Sequence, residues 1–404
     1  MRYYEQDGLK VSQIGVGCYG LSGAYGAKDR AELARVLRRA GELGVTFFDT
    51  ASAYGDAEEF LGNVIRDFRD DVCLATKVGL AGQGATSDLS PQAIRASCEL
   101  SLKRLGTDYI DLYQVHYDDP HAAVGEVVGA FESLKAAGKI RAWGVSHLPP
   151  DRVREYCTVG RPFSVMMELS AAARDAVRTR LPICKECGAV AIAFSVTARG
   201  LLTGAIKRGH TFEPGDIRSY DPLFQREQFE SGLRVAARLA ALAERHSKTP
   251  AQVGIAWALS QPQVVCALTG PSAVSHLEEN LGAADWRLPQ DDLDDLRAVL
   301  DSEDHWLAQE QLKSVCAILE GELSPDIEKT FADLVYVLET AVALSALTEE
   351  VVVPMFGGLV AAREKCGSPG LDDMTRLRQQ LREAFSCSGQ SPVRVAVAPQ
   401  TACE

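Results

Sequence analysis

An ordered alternation of short apolar runs and amphipathic stretches dominates this chain up to about residue 301. The apolar runs are rich in β-branched and aromatic residues, and the stretches between them have helical spacing of their apolar positions. The runs are SQIGVG, TFFDT, VCLATKV, YIDLYQVH, AWGVSH, FSVMMEL, AVAIAFS and VVCALTG. Eight β–α units in this order predict an α/β fold of the (β/α)8 TIM barrel type. No GxGxxG motif follows the first strand, which argues against a doubly wound sheet.

Three further regions are predicted around this barrel. The turn pair Asp7-Gly8 predicts an N-terminal β-hairpin over residues 1–12, within a barrel domain of residues 1–301. A longer insertion near residues 205–230 precedes two predicted helices between Gly232 and Gln261. Amphipathic segments separated by Ser-Pro and Gly-Ser-Pro breaks predict a C-terminal helical extension over residues 302–386, followed by a flexible tail over 387–404.

Composition excludes several classes of function. The net charge of −13 argues against nucleic acid as a partner, because phosphate binding needs clustered Lys and Arg. The late apolar stretches are too short to span a membrane and are broken by Glu339 and Pro354, and no signal peptide is recognisable, so a cytoplasmic location is expected. Cys184 and Cys187 form a lone CxxC without a second pair, so no metal site is predicted and reduced thiols are expected.

Polar residues stand where the predicted strands end, which is where a barrel of this type carries its chemistry. Asp49 ends the second strand and Tyr54 lies in the following loop, while Lys77 ends the third strand and His116 the fourth. The fifth strand ends in Ser146 and His147. The first strand runs into Gly17, Cys18 and Tyr19, where bare backbone lets a ligand approach closely.

Asp, Tyr, Lys and His on one rim can form a proton-transfer device. A phenol has a pKa of about 10, too high for easy donation unless its anion is stabilised by a neighbouring cation. A buried Lys77 needs a partner such as Asp49 to stay charged. We therefore expect Asp49 to hold Lys77 and Lys77 to lower the pKa of Tyr54, which transfers the proton. His116 is expected to orient a substrate carbonyl.

Several of these stretches resemble the aldo-keto reductase family. They are GVGCYGLSG, FFDTASAYG, LATKVG, IDLYQVH, KIRAWGVS, IAFSVTARGLLTG, TPAQVGIAWALSQ and HLEENLGAAD, in register from residue 9 to about 300. The resemblance implies a barrel that binds a nicotinamide cofactor, NADP or NAD, and passes hydride to a carbonyl compound. It also implies that Asp49, Tyr54, Lys77 and His116 are the catalytic tetrad.

The same resemblance implies which residues contact the cofactor. Near the carboxamide and the nicotinamide ring these would be Ser146, His147, Met166 and Phe194. Along the pyrophosphate they would be Ser195, Val196, Gly200 and Leu201. Around the adenosine end they would be Gly270, Ser272, His276, Glu279 and Asn280. The strand-end residues Gly17, Cys18, Tyr19 and Asp49 complete the predicted cofactor contacts.

Several positions depart from the family pattern, and three of them concern the carboxamide and the 2′-phosphate of the cofactor. His147 stands where the family usually has Asn, Met166 where a Gln is common, and Ser272 where many relatives place Arg or Lys for the 2′-phosphate of NADP. Losing a charged phosphate contact weakens a preference for NADP. The departures fit a divergent subfamily with a working pocket, and they fit altered cofactor use, with NAD in place of NADP or a tightly held cofactor.

The predicted function is therefore an oxidoreductase that interconverts a small carbonyl compound (aldehyde, ketone or sugar-like) and an alcohol. Two alternatives remain open at this point. The same acid–base groups can serve a non-reductive lyase or isomerase with a tightly bound cofactor. A barrel that binds nicotinamide and docks a partner through its added helices would be a sensing module. The segment from Lys207 to Phe229 is expected to overhang the site.

Overall fold

Eight parallel strands close into a barrel in this computed structural model, which describes residues 1–80, 87–344, 347, 349–365 and 368–387. The predicted tail lies outside these residues except for position 387. Within the described residues, the strands are β1 (Tyr3–Gln6), β2 (Leu9–Ser12), β3 (Ile14–Gly17), β4 (Phe47–Asp49), β5 (Cys73–Val78), β6 (Ile110–Val115), β7 (Ile140–Ser146), β8 (Ser164–Glu168), β9 (Val190–Phe194) and β10 (Val264–Thr269).

The strand pairing confirms the predicted TIM barrel. Strands β3 to β10 pair in chain order, and β10 closes the barrel by pairing in parallel with β3. Strands β1 and β2 form the predicted antiparallel hairpin. Its two turn residues, Asp7 and Gly8, have φ angles of 52° and 77°, the left-handed geometry that a two-residue hairpin turn requires.

Helices follow the barrel strands. They are α1 (Arg30–Glu42), α2 (Ala57–Ile65), α3 (Pro91–Leu105), α4 (Val124–Ala136), α5 (Pro150–Val159), α6 (Asp175–Thr179), α7 (Leu181–Cys187), α8 (Arg226–His246), α9 (Pro250–Ser260) and α10 (Val274–Leu281). Side chains cap the N-termini of α1, α3 and α9. The Asp29 carboxylate caps α1, and Thr249 with Gln252 forms a capping box on α9. Helix α8 begins before the predicted Gly232, so the segment ahead of it is shorter than predicted and spans residues 205–225.

The barrel interior is filled by apolar side chains from successive strands, among them Phe47, Leu112 and Ile192. Leu9 and Val11 of the hairpin belong to the same cluster, so the hairpin covers one end of the barrel. Each fully buried side chain of this size contributes about 1.5–3 kcal/mol to stability. With this end packed shut, ligands reach the barrel from the opposite rim, where the strands end.

A second compact unit begins at Val299, inside a long helix. Its helices, counting that one, are α11 (Gln290–Glu320), α12 (Ile327–Ala343), α13 (Glu349–Glu364) and α14 (Ser368–Cys387). Leu319, Leu334, Leu359 and Leu381 pack in one buried apolar cluster, so the unit has a core of its own. None of the described helices is long and apolar enough to cross a membrane.

We propose that residues 302–404 are an addition that the barrel does not need in order to fold. The reason is that the apolar cluster of the second unit is built from residues beyond this point. A chain ending at Asp301 should keep the circular dichroism spectrum of a folded α/β protein and a thermal midpoint within about 5 °C of the full chain. A chain ending at residue 387 is the control for removing the tail alone. Aggregation or loss of cooperative unfolding after truncation at Asp301 would contradict the proposal.

Candidate active site

A buried ion pair lies at the centre of the barrel rim. Asp49 is the last residue of β4, and Lys77 lies near the end of the neighbouring strand β5. The Lys77 Nζ donates hydrogen bonds to both Asp49 carboxylate oxygens, at 2.7 and 2.6 Å, and to the Thr50 carbonyl oxygen at 2.8 Å. Lys77 is 1% exposed and Asp49 is 3% exposed. The ammonium group is therefore held by three acceptors and is almost fully buried.

Tyr54 and His116 complete this group of side chains. Tyr54 lies in the turn after β4, and its ring centroid is 5.4 Å from the Lys77 Nζ. His116 directly follows β6, and its ring meets the Tyr54 ring edge-on with centroids 5.6 Å apart. All four residues line one cavity of about 1200 Å³. The structure thus brings together the four residues that the sequence predicts as a catalytic set.

The surroundings of Tyr54 favour its protonated form. Burial, followed by the negative charge of Asp49, raises the pKa of Tyr54 well above its usual value. This direction is opposite to the lowering expected from Lys77 in the sequence. The physical reason is first the burial of the phenol, and then the Asp49 carboxylate, whose two oxygens bind the Lys77 ammonium and offset its charge. The Tyr54 phenol is accordingly held in its protonated form.

Two histidines, the buried His116 and the half-buried His147, line the cavity in their neutral form. Burial, together with the positive charge of Lys77, lowers the pKa of His116 to about 2 and that of His147 to about 3. The Tyr117 ring stacks on both, with centroids 4.8 Å from His116 and 4.6 Å from His147. The His116 Nδ1 is buried and has no hydrogen-bond partner among the described residues. A neutral imidazole there can donate one hydrogen bond to a substrate oxygen.

The lowered pKa values of His116 and His147 predict a kcat/KM that does not change with pH through histidine titration. Because both imidazoles stay neutral, kcat/KM should show no histidine inflection between about pH 5 and 8. Unfolded histidines take up protons near about pH 6.5, so the unfolded state binds more protons below that pH and the free energy of unfolding falls as pH drops. Activity profiles and urea unfolding of the native protein and His116→Asn would measure both effects. An inflection near pH 6.5 that vanishes in His116→Asn would contradict the neutral assignment.

Most of the predicted cofactor residues line the same cavity. They are Gly17, Cys18, Tyr19, Asp49, His147, Met166, Phe194, Ser195, Val196, Gly200, Gly270, Ser272, His276, Glu279 and Asn280. Ser146 and Leu201 are fully buried and lie outside this lining. The Ser146 hydroxyl lies 2.7 Å from the His147 Nδ1, so its contact in this structure is with the histidine side chain.

Left-handed backbone is concentrated at this rim. His147, Ser195, Ala198 and Arg199 have φ angles between 50° and 54°, which residues other than glycine rarely adopt. Such conformations cost of order 1–3 kcal/mol each and persist where the surrounding structure enforces them. Here they turn the chain sharply after β7 and β9, and they bring the His147 ring to 4.7 Å from the Phe194 ring.

Arg199 connects two parts of the rim through ion pairs, and the sequence does not mark it as a site residue. Arg199 lines the cavity and forms ion pairs with Glu168 at 2.5 Å and Asp221 at 2.9 Å. Glu168 ends β8, whereas Asp221 belongs to the 205–225 segment. Glu168 could have been predicted as a site residue because it ends a barrel strand. No sequence pattern links Arg199 to two distant carboxylates. This segment also donates the Ile217 amide to the Ala24 carbonyl at 2.8 Å, so it lies across the rim.

Comparison with known proteins identifies the family of this chain. The sequence model of the Aldo/keto reductase family matches residues 13–301. The chain belongs to the aldo-keto reductase family. Its family membership places it among oxidoreductases of carbonyl and alcohol substrates.

This aldo-keto reductase matches several relatives over most of their length. "Aldo-keto reductase str7" of Strobilurus tenacellus is 35% identical over 70% of this chain and 87% of the relative. "Aldo-keto reductase YhdN" of Bacillus subtilis is 34% identical over 73% of this chain and 92% of the relative. The glycerol dehydrogenase AKR11B4 structure from Gluconobacter oxydans superposes with a TM-score of 0.68 at 29% identity, covering 75% of this chain and 95% of that one.

The residues of this aldo-keto reductase fit a nicotinamide cofactor. Small-molecule sites usually enclose about 300–1000 Å³, so the cavity of about 1200 Å³ has room for an extended dinucleotide and a small substrate. Phe194 and His147 offer ring faces at one end, and Ser272, Glu279 and Asn280 offer polar groups at another part of the lining. His116 lines the same cavity as Tyr54, and its buried Nδ1 has no hydrogen-bond partner among the described residues. Among the described residues, no three His, Cys, Asp or Glu side chains are arranged to hold a metal ion.

Proposed function

We propose that this protein is a nicotinamide-dependent reductase or dehydrogenase that interconverts a small aldehyde, ketone or sugar-like carbonyl compound and its alcohol. The observation that carries the proposal is the buried Lys77–Asp49 ion pair beside Tyr54, with His116 across the same cavity. The bound cofactor would supply or accept the hydride. The protein would supply a proton and a fixed orientation for the substrate oxygen.

Tyr54 acts as the proton donor in the direction of carbonyl reduction. Its raised pKa keeps the phenol protonated until negative charge develops on the substrate oxygen, and a positioned acid of this kind contributes about 10²–10⁴ in rate. Neutral His116 donates a hydrogen bond to the same oxygen and fixes the carbonyl for attack. The Lys77 ammonium, which Asp49 holds in place, stabilises negative charge as it shifts to the Tyr54 oxygen.

Phe194 and His147 are proposed to contact the nicotinamide ring. Ser272 and Asn280 are proposed to contact the adenosine end.

A fluorescence titration with NADH and NADPH, followed by turnover assays on a panel of small aldehydes, tests the function. Saturable binding with aldehyde-dependent oxidation of the reduced cofactor would support it. Binding without turnover on aldehydes, ketones or sugars would favour the sensing module. A cofactor that co-purifies and does not exchange would favour the lyase or isomerase cycle.

Cofactor preference is proposed to depend on Ser272. The Ser272 hydroxyl lies 3.2 Å from the His276 Nδ1 at the exposed edge of the cavity, and it offers no positive charge to a 2′-phosphate. One relative, "Aldo-keto reductase yakc [NADP(+)]" of Schizosaccharomyces pombe, carries NADP(+) in its name. For this chain we expect NADH to bind as well as NADPH or better.

Placing a charge at this position should reverse the preference. In Ser272→Arg, the Kd for NADPH should fall about tenfold while that for NADH stays within about twofold, because a charged hydrogen bond to phosphate is worth about 1.5–3 kcal/mol. Ser275→Arg adds the same charge on the exposed surface of α10, outside the cavity lining, and is the matched control. A native Kd for NADPH a hundredfold below that for NADH would contradict the expectation.

A further inference from the structure

Two cysteines from separate helices meet on the flank of the barrel. Cys157 lies in α5, and Cys187 is the last residue of α7, which packs against α5. Their sulfur atoms are 2.8 Å apart, and both residues are partly exposed. A disulfide needs a sulfur separation of about 2.05 Å, so a small shift of the side chains suffices to form the bond.

The surroundings favour a thiolate on one of the two cysteines. A hydrogen bond from the Cys157 thiol lowers the pKa of Cys187 to about 6, although burial opposes this. The backbone amide of Ala189 adds to the lowering, and the Glu186 charge opposes it. Glu186 is itself paired with Arg154 at 2.7 Å. A lowered pKa increases the fraction of Cys187 that is thiolate at neutral pH, and the thiolate is the form that reacts as a nucleophile.

We propose that Cys157 and Cys187 are a reversible dithiol–disulfide pair that reacts with hydrogen peroxide. The Cys187 thiolate attacks one peroxide oxygen, the O–O bond breaks, and hydroxide leaves and takes up a proton to become water. Cys187 is then a sulfenic acid. The Cys157 sulfur attacks the Cys187 sulfur, the S–O bond breaks, and the oxygen leaves as a second water with the Cys157 proton. Two thiols are oxidised by two electrons, and the peroxide is reduced to two waters.

The geometry selects this pair over the CxxC pair that the sequence displays. Cys184 is fully buried, whereas Cys157 and Cys187 are partly exposed and within reach of a small oxidant. Burial raises the pKa of Cys184 to about 12, which keeps its thiol protonated. The Cys187 sulfur contacts the Cys184 carbonyl oxygen at 3.7 Å, while it lies 2.8 Å from the Cys157 sulfur.

The test is oxidation of the full chain under native conditions. Reduced protein is treated with hydrogen peroxide, free thiols are blocked with N-ethylmaleimide before unfolding, and peptides are identified by mass spectrometry. We expect a peptide pair linked through Cys157 and Cys187 that dithiothreitol separates. Cys316→Ser, which removes another partly exposed thiol, should leave the link unchanged. A Cys184–Cys187 link, or peroxide oxidation that does not involve Cys187, would overturn the proposal.

Two variants of Cys157 separate the chemistry from simple proximity. Cys157→Ser keeps a hydrogen-bond donor but cannot close the disulfide, so Cys187 should accumulate as a sulfenic acid that dimedone traps. Cys157→Ala removes the donor, and alkylation of Cys187 by iodoacetamide at pH 7 should slow about tenfold. In the native protein Cys187 should alkylate at least about tenfold faster than Cys316. Equal alkylation rates for Cys187 and Cys316 would overturn the proposal even if a variant were unstable.

Discussion

Replacing Tyr54 with phenylalanine should reduce kcat by about a thousandfold, within the range of about 10²–10⁴ that a positioned general acid supplies. The Kd for NADH should change by less than about twofold, because the ring remains and a hydroxyl alone is lost. The Tyr54 ring packs edge-on against His116 and Tyr19, and phenylalanine keeps both contacts. Steady-state kinetics with a reducible aldehyde and a cofactor titration would measure the two quantities.

Tyr113→Phe is the matched control for this variant. Tyr113 is a fully buried residue of β6, and its hydroxyl has no hydrogen-bond partner among the described residues and lies outside the cavity lining. Loss of that hydroxyl should leave kcat within about twofold and should not lower stability, since an unpaired buried polar group is unfavourable. Wild-type turnover in Tyr54→Phe would remove Tyr54 as the proton donor.

Lys77→Met should have the largest combined effect on stability and activity. It leaves the Asp49 carboxylate buried without its cation, which typically destabilises a protein by about 3–5 kcal/mol. The activity should fall together with the stability because Tyr54 loses the neighbouring positive charge. Urea unfolding at pH 8, monitored by circular dichroism, would give the change in the free energy of unfolding.

The stability loss should depend on pH in a defined direction. Burial raises the pKa of Asp49 even in the native protein, where Lys77 opposes the rise. In Lys77→Met the folded state therefore binds a proton more readily than the unfolded state does, so stability rises as pH falls through the raised pKa. We expect a smaller loss at pH 5 than at pH 8. A loss independent of pH would show that packing, and not the unpaired charge, is responsible.

A double variant separates stability from catalysis. Asp49→Asn combined with Lys77→Met removes both charges, and replacing a buried ion pair by neutral groups is often near neutral for stability. The double variant should recover most of the free energy lost in Lys77→Met while turnover stays low. Recovery of both stability and turnover would contradict a role for the ion pair in the reaction.

The sequence predicts the barrel and the four central site residues because both depend on strand ends. Asp49, Lys77 and His116 lie at or directly beyond apolar runs, and the ends of parallel strands meet at one rim whatever the loops do. Tyr54 is predicted at the same rim because it lies in the short turn that follows β4. Successive side chains of a strand point to opposite faces, and this alternation determines which strand residues point to the cavity.

Other features could not be predicted because they depend on distances between separate elements. Arg199 reaches carboxylates at positions 168 and 221 through a left-handed loop that no local pattern marks. The Cys157–Cys187 contact joins two helices, and the sequence draws attention to the nearer CxxC instead. The direction of the Tyr54 pKa shift depends on burial and on how Asp49 is bound, which spacing alone does not reveal.

The paired contacts of Arg199 determine how the cavity can exchange its contents. The guanidinium binds Glu168 on the barrel and Asp221 on the 205–225 segment at the same time. If the segment moved away, Arg199 would keep Glu168 as its partner, so the half-buried cation would not be left without a counter-charge. Asp221 would enter water, where a carboxylate is well solvated. Opening of the entrance would cost the Arg199–Asp221 ion pair and the Ile217–Ala24 hydrogen bond. Added salt screens the ion pair, so it should speed ligand exchange more than it weakens the barrel.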